Sequence, residues 1–243
     1  MTNNKRLIEE FLELVQIDSP TSKEGTIAQV LVKKLEEIGL TVEIDNAGDI
    51  YGGETGNVIA KLKGKKEGKK LLFSSHMDTV SPSIGVKPII DEQAGIIKSD
   101  GTTVLGADDK AGIAEIMSLL EYFSTTKEEH GDIQVCFTPD EEVGLGTENI
   151  NYQIFNPDIA YTVDGSKVGE FAYENFNAAT ATINIKGTPS HCGSAKGVMI
   201  NAGRIATIIN SLLPEEIPET KKYLTFTTNN TSTDAISEYA KQG

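Results

Sequence analysis

Long apolar runs and a surplus of basic residues are both missing from this chain of 243 residues. No apolar stretch approaches the length that a helix needs to cross a bilayer, and the first residues lead into an amphipathic, acidic pattern that does not resemble a secretory signal. Acidic side chains outnumber basic ones by 36 to 22, which gives a formal charge of -14. Such a charge disfavours nucleic acid and anionic membranes as partners. We therefore expect a cytoplasmic protein with no nucleic-acid or membrane partner.

Cysteine and histidine are also scarce, with two and three residues respectively. The two cysteines, Cys136 and Cys192, lie in very different contexts and suggest no disulfide framework. Cys136 lies within an apolar run, and we interpret it as a small buried core residue. Of the histidines, His130 follows three charged residues and is interpreted as a surface residue at a helix end, whereas His76 follows an apolar run and His191 lies in a predicted turn.

Helical and strand periods alternate along the first part of the chain. Apolar residues at helical spacing predict amphipathic helices over 7–15 and 27–38, and a third helix after Ala107. Alternating or continuous apolar runs predict strands over 40–44, 57–62, 71–73, 133–137 and 159–163, with a short hairpin around 91–95. This order predicts an α/β fold, namely a three-layer domain with a central, mostly parallel sheet, which we assign to residues 1–172.

The texture of the sequence changes after about Phe171. A strand over 178–185, a turn over 187–191 and a helix over 200–213 predict the first part of a smaller α+β domain, which we assign to residues 173–243. The polar end of the chain carries no core pattern apart from a possible short terminal helix.

Four polar clusters each follow a predicted strand or open a predicted helix. They are Ser75 to Thr79, Gly106 to Gly112, Pro139 to Gly144 and Thr162 to Gly165. One sheet could therefore deliver a histidine and several carboxylates to a single edge. Imidazole nitrogen and carboxylate oxygen are ligands that zinc accepts, so the layout is that of a metal site.

The first two clusters supply candidate metal ligands. His76 at a strand end is a plausible ligand, and Asp78 could accept a hydrogen bond from the other ring nitrogen and so fix the tautomer. Asp108, at a strand-to-helix turn, could bridge two ions about 3.5–4 Å apart, which would polarise a carbonyl and acidify a shared water.

The last two clusters supply a base and further carboxylates. Two neighbouring glutamates, Glu141 and Glu142, would be redundant if both bound metal, whereas one bound and one free gives a ligand beside a general base. Asp164 supplies a terminal carboxylate for the other ion. Each cluster alone has an ordinary alternative: a structural histidine, an aspartate that caps a helix, or a solvated glutamate pair. Their joint occurrence at strand ends favours the metal site.

The same motifs resemble, in order and spacing, those of the peptidase T-like dinuclear zinc exopeptidases. The matching segments are Ser75 to Val80, Leu105 to Gly112, Pro139 to Gly144, Val163 to Gly165, Gly187 to His191 and Gly193 to Ala202. The resemblance extends from Asn4 to about Pro218. It implies that His76 and Asp164 bind one zinc, that Glu142 binds the other, that Asp108 bridges them, that Asp78 orients His76 and that Glu141 is the base.

The resemblance also implies features outside these ligands. It implies a cis peptide bond after Asp108 and a ferredoxin-like lid domain through which the protein forms a homodimer. His191 matches a lid histidine that stabilises the oxyanion in the partner's site, the alternative being a turn histidine with no catalytic role. Relatives supply a final histidine ligand from further along their chains, and none of the three histidines here matches it. We therefore expect this chain to lack the family's C-terminal part.

Taken together, the motifs and the resemblance predict a zinc-dependent aminopeptidase that acts on short peptides, most of all tripeptides. The same ligand set also accepts cobalt or manganese. Two alternatives stay open, because pocket residues decide the substrate. One is a related amidohydrolase that removes an acyl group from an amino acid, and the other is a truncated, non-catalytic member that binds at most one metal.

Overall fold

The computed structural model describes residues 4–50, 52–148, 150–165, 167–174, 178–212 and 221–229. The chain divides into two compact units, Met1–Val168 and Gly169–Gly243. Among the described residues, no helix has both the length and the apolar character required to cross a membrane.

The described part of the first unit contains three α-helices and seven strands. The helices are α1 (Asn4–Val15), α2 (Gly25–Glu37) and α3 (Ala107–Thr125). The strands are β1 (Thr41–Ile44), β2 (Val58–Leu62), β3 (Leu71–His76), β4 (Pro88–Asp91), β5 (Ile96–Ser99), β6 (Ile133–Thr138) and β7 (Ile159–Thr162). Five of these strands form one sheet in the order β1-β2-β6-β3-β7, and β4 and β5 form a separate antiparallel hairpin.

Strand direction changes across the main sheet. The strand β3 pairs in parallel with both β6 and β7, whereas β2 runs antiparallel to both β1 and β6. The helix α3 lies between β3 and β6 in the chain, and such a crossover returns the chain in the parallel direction. No α-helix separates β1 from β2 in the described residues, and these strands pair antiparallel. The predicted α/β class is confirmed, and the described sheet is mixed.

The core lies between the sheet and the helices. It includes Leu14 of α1, Leu31 of α2 and Ile113 of α3, together with Val135 and Phe137 of β6. Every residue of β6 is buried, because strands flank it on both sides and helices cover it. The described helices of this unit all contribute to this one core.

On the opposite face of β6, a side chain of the strand bonds to a loop residue. Gln134 of β6 donates a hydrogen bond through Nε2 to Oδ1 of Asn156, 2.7 Å away. Cys136 is buried, as predicted. His130 was predicted at the surface, which is wrong: its ring is buried, lies 4.9 Å from the Phe123 ring, and has Nδ1 2.8 Å from the carbonyl oxygen of Gly131. The ring packs against the end of α3, a contact that the charged residues before it do not reveal.

The second unit contains β8 (Ala178–Lys186), α4 (Ala202–Leu212) and β9 (Lys221–Asn229). The strands β8 and β9 pair in parallel over their whole lengths, from Ala178 opposite Lys221 to Lys186 opposite Asn229. The predicted strand and helix are both present. The strand β9 was not predicted, and the possible terminal helix lies outside the described residues.

Candidate metal centre

The polar clusters meet because three parallel strands end together. His76, the last residue of β3, lies opposite Thr138, the last residue of β6. Ser74 of β3 lies opposite Thr162, the last residue of β7. The residues that follow these strands therefore leave the sheet at one edge, as expected for parallel neighbours.

His76 is held between two aspartates. Its Nε2 lies 2.8 Å from Oδ1 of Asp108, and its Nδ1 lies 2.9 Å from the backbone oxygen and 3.3 Å from Oδ1 of Asp78. Burial lowers the pKa of the ring, but the carboxylates of Asp78 and Asp108 outweigh this effect and raise the pKa to about 10. The site therefore stabilises a positive charge at the ring, either a proton or a bound cation.

Asp164 joins His76 and Asp108 in one cluster. Each of the three residues offers one ligand atom, and these atoms all lie within 4.8 Å of one another. Burial and then the charge of Asp108 raise the pKa of Asp164 to about 6, and Glu141 adds to the effect. Carboxylates that disfavour each other's ionisation in this way are stabilised by a divalent cation. The donor set of one imidazole and two carboxylates therefore fits such an ion.

Asp78 also holds the turn that carries the two glutamates. Its Oδ1 accepts a hydrogen bond from the backbone N–H of Glu141 (2.9 Å), and its Oδ2 accepts from the N–H of Glu142 (3.2 Å) and from the hydroxyl of Thr21 (2.9 Å). Burial raises the pKa of Asp78, but His76 and these donors lower it more, so the net shift is downward. Asp78 is therefore a buried anion that connects the histidine to the glutamate turn.

Glu142 faces the same negative charges. Burial and then the charge of Asp108 raise the pKa of Glu142, with smaller contributions from Asp78 and Glu141. Glu142 is half-buried and Glu141 is exposed. Within the described part of the chain, the 4.8 Å cluster consists of His76, Asp108 and Asp164 and does not include Glu142.

Asp109 and Ser75 lie beside the proposed ligands and were not predicted as site residues. The hydroxyl of Ser75 donates to the carboxylate of Asp109 and also to its backbone oxygen, 3.0 Å away. Burial, with the charge of Asp164, raises the pKa of Asp109 to about 7. The peptide bond between Asp108 and Asp109 is cis, which confirms the expectation from the family resemblance.

His191 lies in the second unit at the start of a short 3-10 turn, Cys192–Ser194. Its side chain is exposed, and its Nδ1 accepts a hydrogen bond from the backbone N–H of Gly193 at 3.2 Å. This contact is local to the turn.

Two protein-family models match parts of this chain. A model described as "Peptidase family M28" matches residues 57–163, and one described as "Peptidase dimerisation domain" matches residues 173–241. The first match contains β2 to β7, and with them His76, Asp108 and Glu142. The part of the chain that is similar to this peptidase family therefore holds four of the five strands of the main sheet and three of the four predicted metal ligands.

Individual proteins of known class are similar to most of this chain. Peptidase T from Clostridium perfringens (strain 13) is 42% identical over 221 residues, which cover 88% of this chain and 53% of the relative. A tripeptidase from Staphylococcus aureus has a TM-score of 0.73 at 35% identity, and aminopeptidase PepT from Bacillus cereus has a TM-score of 0.68 at 33% identity. Each comparison covers 88% of this chain and 57% of the solved structure. The chain is therefore similar to peptidase T and to tripeptidases over most of its own length, and it spans little more than half the length of these relatives.

Proposed function

We propose that this chain carries the metal-binding part of an aminopeptidase that removes the N-terminal residue of short peptides, above all tripeptides. The observation that carries the proposal is the convergence of His76, Asp108 and Asp164, with ligand atoms within 4.8 Å, on a sheet edge that also presents Glu141 and Glu142. The relatives named peptidase T, tripeptidase and aminopeptidase support the substrate class.

Each side chain has a place in this proposal. Zinc is the expected metal, with cobalt or manganese as alternatives. His76 and Asp164 would hold one ion, Glu142 would hold the other, and Asp108 would contact both. When bound, the ions would polarise the scissile carbonyl and acidify a water. An ion at Glu142 would need a further ligand, for which the resemblance implies a histidine further along the chain.

The remaining residues move or position a proton. Glu141 is exposed, so its carboxylate can reach an attacking water and accept the water's proton. The protonated Glu141 then donates to the leaving amine, so that the carboxylate is restored. Asp78 would keep the Nδ1 proton of His76 in place and leave Nε2 as the ligand atom, because its carboxylate and carbonyl oxygens both lie within 3.3 Å of Nδ1.

The second unit is assigned the assembly role. The match of residues 173–241 to a peptidase dimerisation domain supports a homodimer formed through this unit. His191 would then contribute to the partner's site as an oxyanion donor. We place the boundary of the catalytic part near residue 172, close to the division after Val168.

Metal stoichiometry measured together with peptide hydrolysis tests the proposal. We expect two ions for each purified, metal-replete chain and cleavage of an unblocked tripeptide, with no cleavage of the same peptide after N-acetylation. Preferential hydrolysis of an N-acyl amino acid would instead identify an amidohydrolase. One ion or none, without hydrolysis of either compound, would mean that this chain is not catalytic by itself.

A further inference from the structure

The backbone of the glutamate turn is held by two buried carboxylates. The N–H groups of Glu141 and Glu142 donate to Asp78, as described above. The preceding N–H, that of Asp140, donates to Oε1 of Glu24 at 3.2 Å. Both Asp78 and Glu24 are fully buried. Three consecutive amides are thus fixed by acceptors that come from distant parts of the chain.

Glu24 has no role in its own helix that would explain its burial. It is the N-cap residue of α2, but its side chain makes no capping hydrogen bond. Instead, Oε1 accepts from the N–H of Ser22 at 2.9 Å and from the N–H of Asp140. One carboxylate oxygen therefore joins the loop before α2 to the turn after β6.

The two joined turns are also unusual in their backbone conformation. Among the described non-glycine residues, only Ser22 and Asp140 have positive φ, at 66° and 53°. The left-handed region is unfavourable for residues with a Cβ, and it persists where the surroundings fix it. Here the hydroxyl of Ser22 donates to Oδ1 of Asp140 at 2.7 Å, and Glu24 accepts from both backbones. These bonds are the local interactions that offset the cost.

The second carboxylate oxygens of Glu24 and Asp140 are buried and accept no hydrogen bond from the described residues. These oxygens are Oε2 of Glu24 and Oδ2 of Asp140. Burial, opposed by the amide donors and assisted by the charge of Asp140, raises the pKa of Glu24 to about 7. A proton on Glu24 would remove one of these two buried negative charges.

We propose that Glu24 is a positioning residue for the glutamate turn, residues 139–144. It fixes the backbone of Asp140 in the left-handed conformation and thereby sets the direction in which Glu141 and Glu142 leave the sheet edge. The catalytic consequence rests on the function proposed above, whereas the structural consequence does not. Glu24 itself touches neither the substrate nor the proposed metal ligands.

The proposal predicts a particular pattern among variants. Glu24→Ala removes the acceptor, which would free the Asp140 amide and allow the turn to relax. Glu24→Gln keeps the length of the side chain and an oxygen acceptor at the position of Oε1, so it should restore the turn. The matched control is Asn57→Ala, because Asn57 is also fully buried and bonded to a carboxylate, that of Asp45, but lies directly before β2 and makes no hydrogen bond to Glu24.

Amide hydrogen exchange on the metal-free full chain is the first measurement. In Glu24→Ala we expect exchange in residues 139–144 to accelerate at least about tenfold, because the amides lose a fixed acceptor. Exchange there should stay within about twofold of wild type in Glu24→Gln and in Asn57→Ala. If Glu24→Ala does not fold, Glu24→Asp takes its place, since the shorter side chain withdraws the same oxygen. Unchanged exchange in the folded variant, or equal acceleration in Glu24→Gln, would overturn the proposal.

Cobalt affinity and steady-state kinetics measure the catalytic consequence. A misdirected Glu142 should weaken binding of the second Co²⁺ at least about tenfold in Glu24→Ala, and a misdirected Glu141 should lower kcat by a similar factor. KM should stay within about threefold, because Glu24 does not contact the substrate. Wild-type kcat and Co²⁺ affinity in Glu24→Ala would refute the positioning role. If the wild-type chain hydrolyses no peptide, the proposed function fails, and amide exchange still decides the role of Glu24.

Discussion

Asp78 connects the two halves of the candidate centre at the scale of single residues. One carboxylate approaches Nδ1 of His76 and accepts hydrogen bonds from the amides of Glu141 and Glu142. One buried side chain therefore contacts both the imidazole of His76 and the backbone of the two glutamates. The roles of the individual acids can be separated by substitutions that remove one carboxylate at a time.

Asp108→Ala should lose both ions. Asp108 contacts Nε2 of His76 and shares a cluster with Asp164, and it is the carboxylate that we propose to contact both metals. Metal content after dialysis, measured by atomic emission, checks this expectation. Asp100→Ala is the control, because Asp100 lies in an exposed turn and bonds to Thr102. Retention of two ions per chain in Asp108→Ala would refute the bridging role.

Glu141→Ala should abolish hydrolysis and leave the metal content nearly intact. The side chain of Glu141 is exposed, whereas its backbone N–H, which the substitution keeps, holds Asp78. Loss of a general base typically costs about 10²–10⁴ in rate. Tripeptide hydrolysis and metal content are measured on the same preparation. A large loss of metal would contradict the role of base and would make Glu141 a ligand.

Glu24 should make the stability of the metal-free chain depend on pH. Its pKa rises from an ordinary 4.5 to about 7 in the folded state, first because of burial. Between these pH values the folded state binds more protons than the unfolded state, so the free energy of unfolding falls as pH rises from about 4.5 to about 7. The contribution is complete below this window and is lost above it.

Comparison with Glu24→Gln isolates this contribution. Asp109 and Asp164 also have raised pKa values in the same range, and the wild-type minus variant difference removes their effect. Urea unfolding at several pH values should show that difference declining by on the order of 3 kcal/mol between pH 4.5 and 7. A difference that is constant with pH would mean that Glu24 ionises normally.

Some of the site residues could be predicted from the sequence and others could not. His76, Asp108 and Asp164 were predicted because each follows a strand or opens a helix, a pattern visible along the chain. Glu24 was not, because its hydrogen bond to Asp140 spans 116 positions and nothing in the neighbouring sequence indicates it. Asp109 was overlooked because an aspartate beside a helix start has the ordinary interpretation of a cap.

At the scale of elements, β6 contributes most to the sheet interior. All six of its residues are buried, and it pairs with β2 on one side and β3 on the other. Phe137 is fully buried within the core, one residue before the strand ends near the site. The strand therefore links core packing to the position of the glutamate turn.

Phe137→Ala should destabilise the chain by about 3–5 kcal/mol, because it removes a fully buried aromatic ring and leaves a cavity. The free energy of unfolding in urea checks this value. Ile84→Ala is the control, since Ile84 is 62% exposed and its truncation should change stability by less than about 0.5 kcal/mol. Equal effects of the two substitutions would show that Phe137 does not pack as described.

Element boundaries follow local pattern only in part. The apolar run over 71–73 predicted a strand that ends at His76, which is confirmed, and the neighbouring strand β6 pairs with Ser74 to His76 beyond the apolar run. The strand β9 was not predicted, because its polar, threonine-rich end shows no core pattern. Its pairing with β8 is a contact between distant segments, which residue patterns do not show.

At the scale of the molecule, the proposed metal ligands all come from the first unit. His76, Asp108, Glu142 and Asp164 lie before Val168, where this unit ends. The second unit matches a dimerisation domain and supplies His191. Metal binding and assembly are thus assigned to separate parts of the chain.

A fragment of residues 1–168 should therefore bind as much metal as the full chain. Calorimetric titration with Zn²⁺ or Co²⁺ measures the stoichiometry, and circular dichroism first establishes that the fragment folds. Size-exclusion chromatography should show that the full chain dimerises and the fragment does not. A folded fragment with less metal would mean that the second unit contributes a ligand.

The direction of the strands was the main global feature that the sequence did not determine. Alternating helices and strands predicted an α/β fold, which is confirmed. The antiparallel pairing of β2 with β6 depends on how distant segments meet, and no periodicity within either segment indicates it. The parallel half of the sheet, where β3, β6 and β7 end together, carries the site.

The uneven exposure of the cluster determines how a metal would reach and leave it. His76 is 2% exposed, whereas the side chain of Asp108 is 74% exposed. A metal ion would therefore enter and leave on the side of the carboxylates, with the imidazole as the innermost ligand. A chelator in solution can approach an ion from that side without any part of the core opening. Stripping and reloading of the metal are thus expected to leave the fold intact, with exchange rates set by the release of carboxylates.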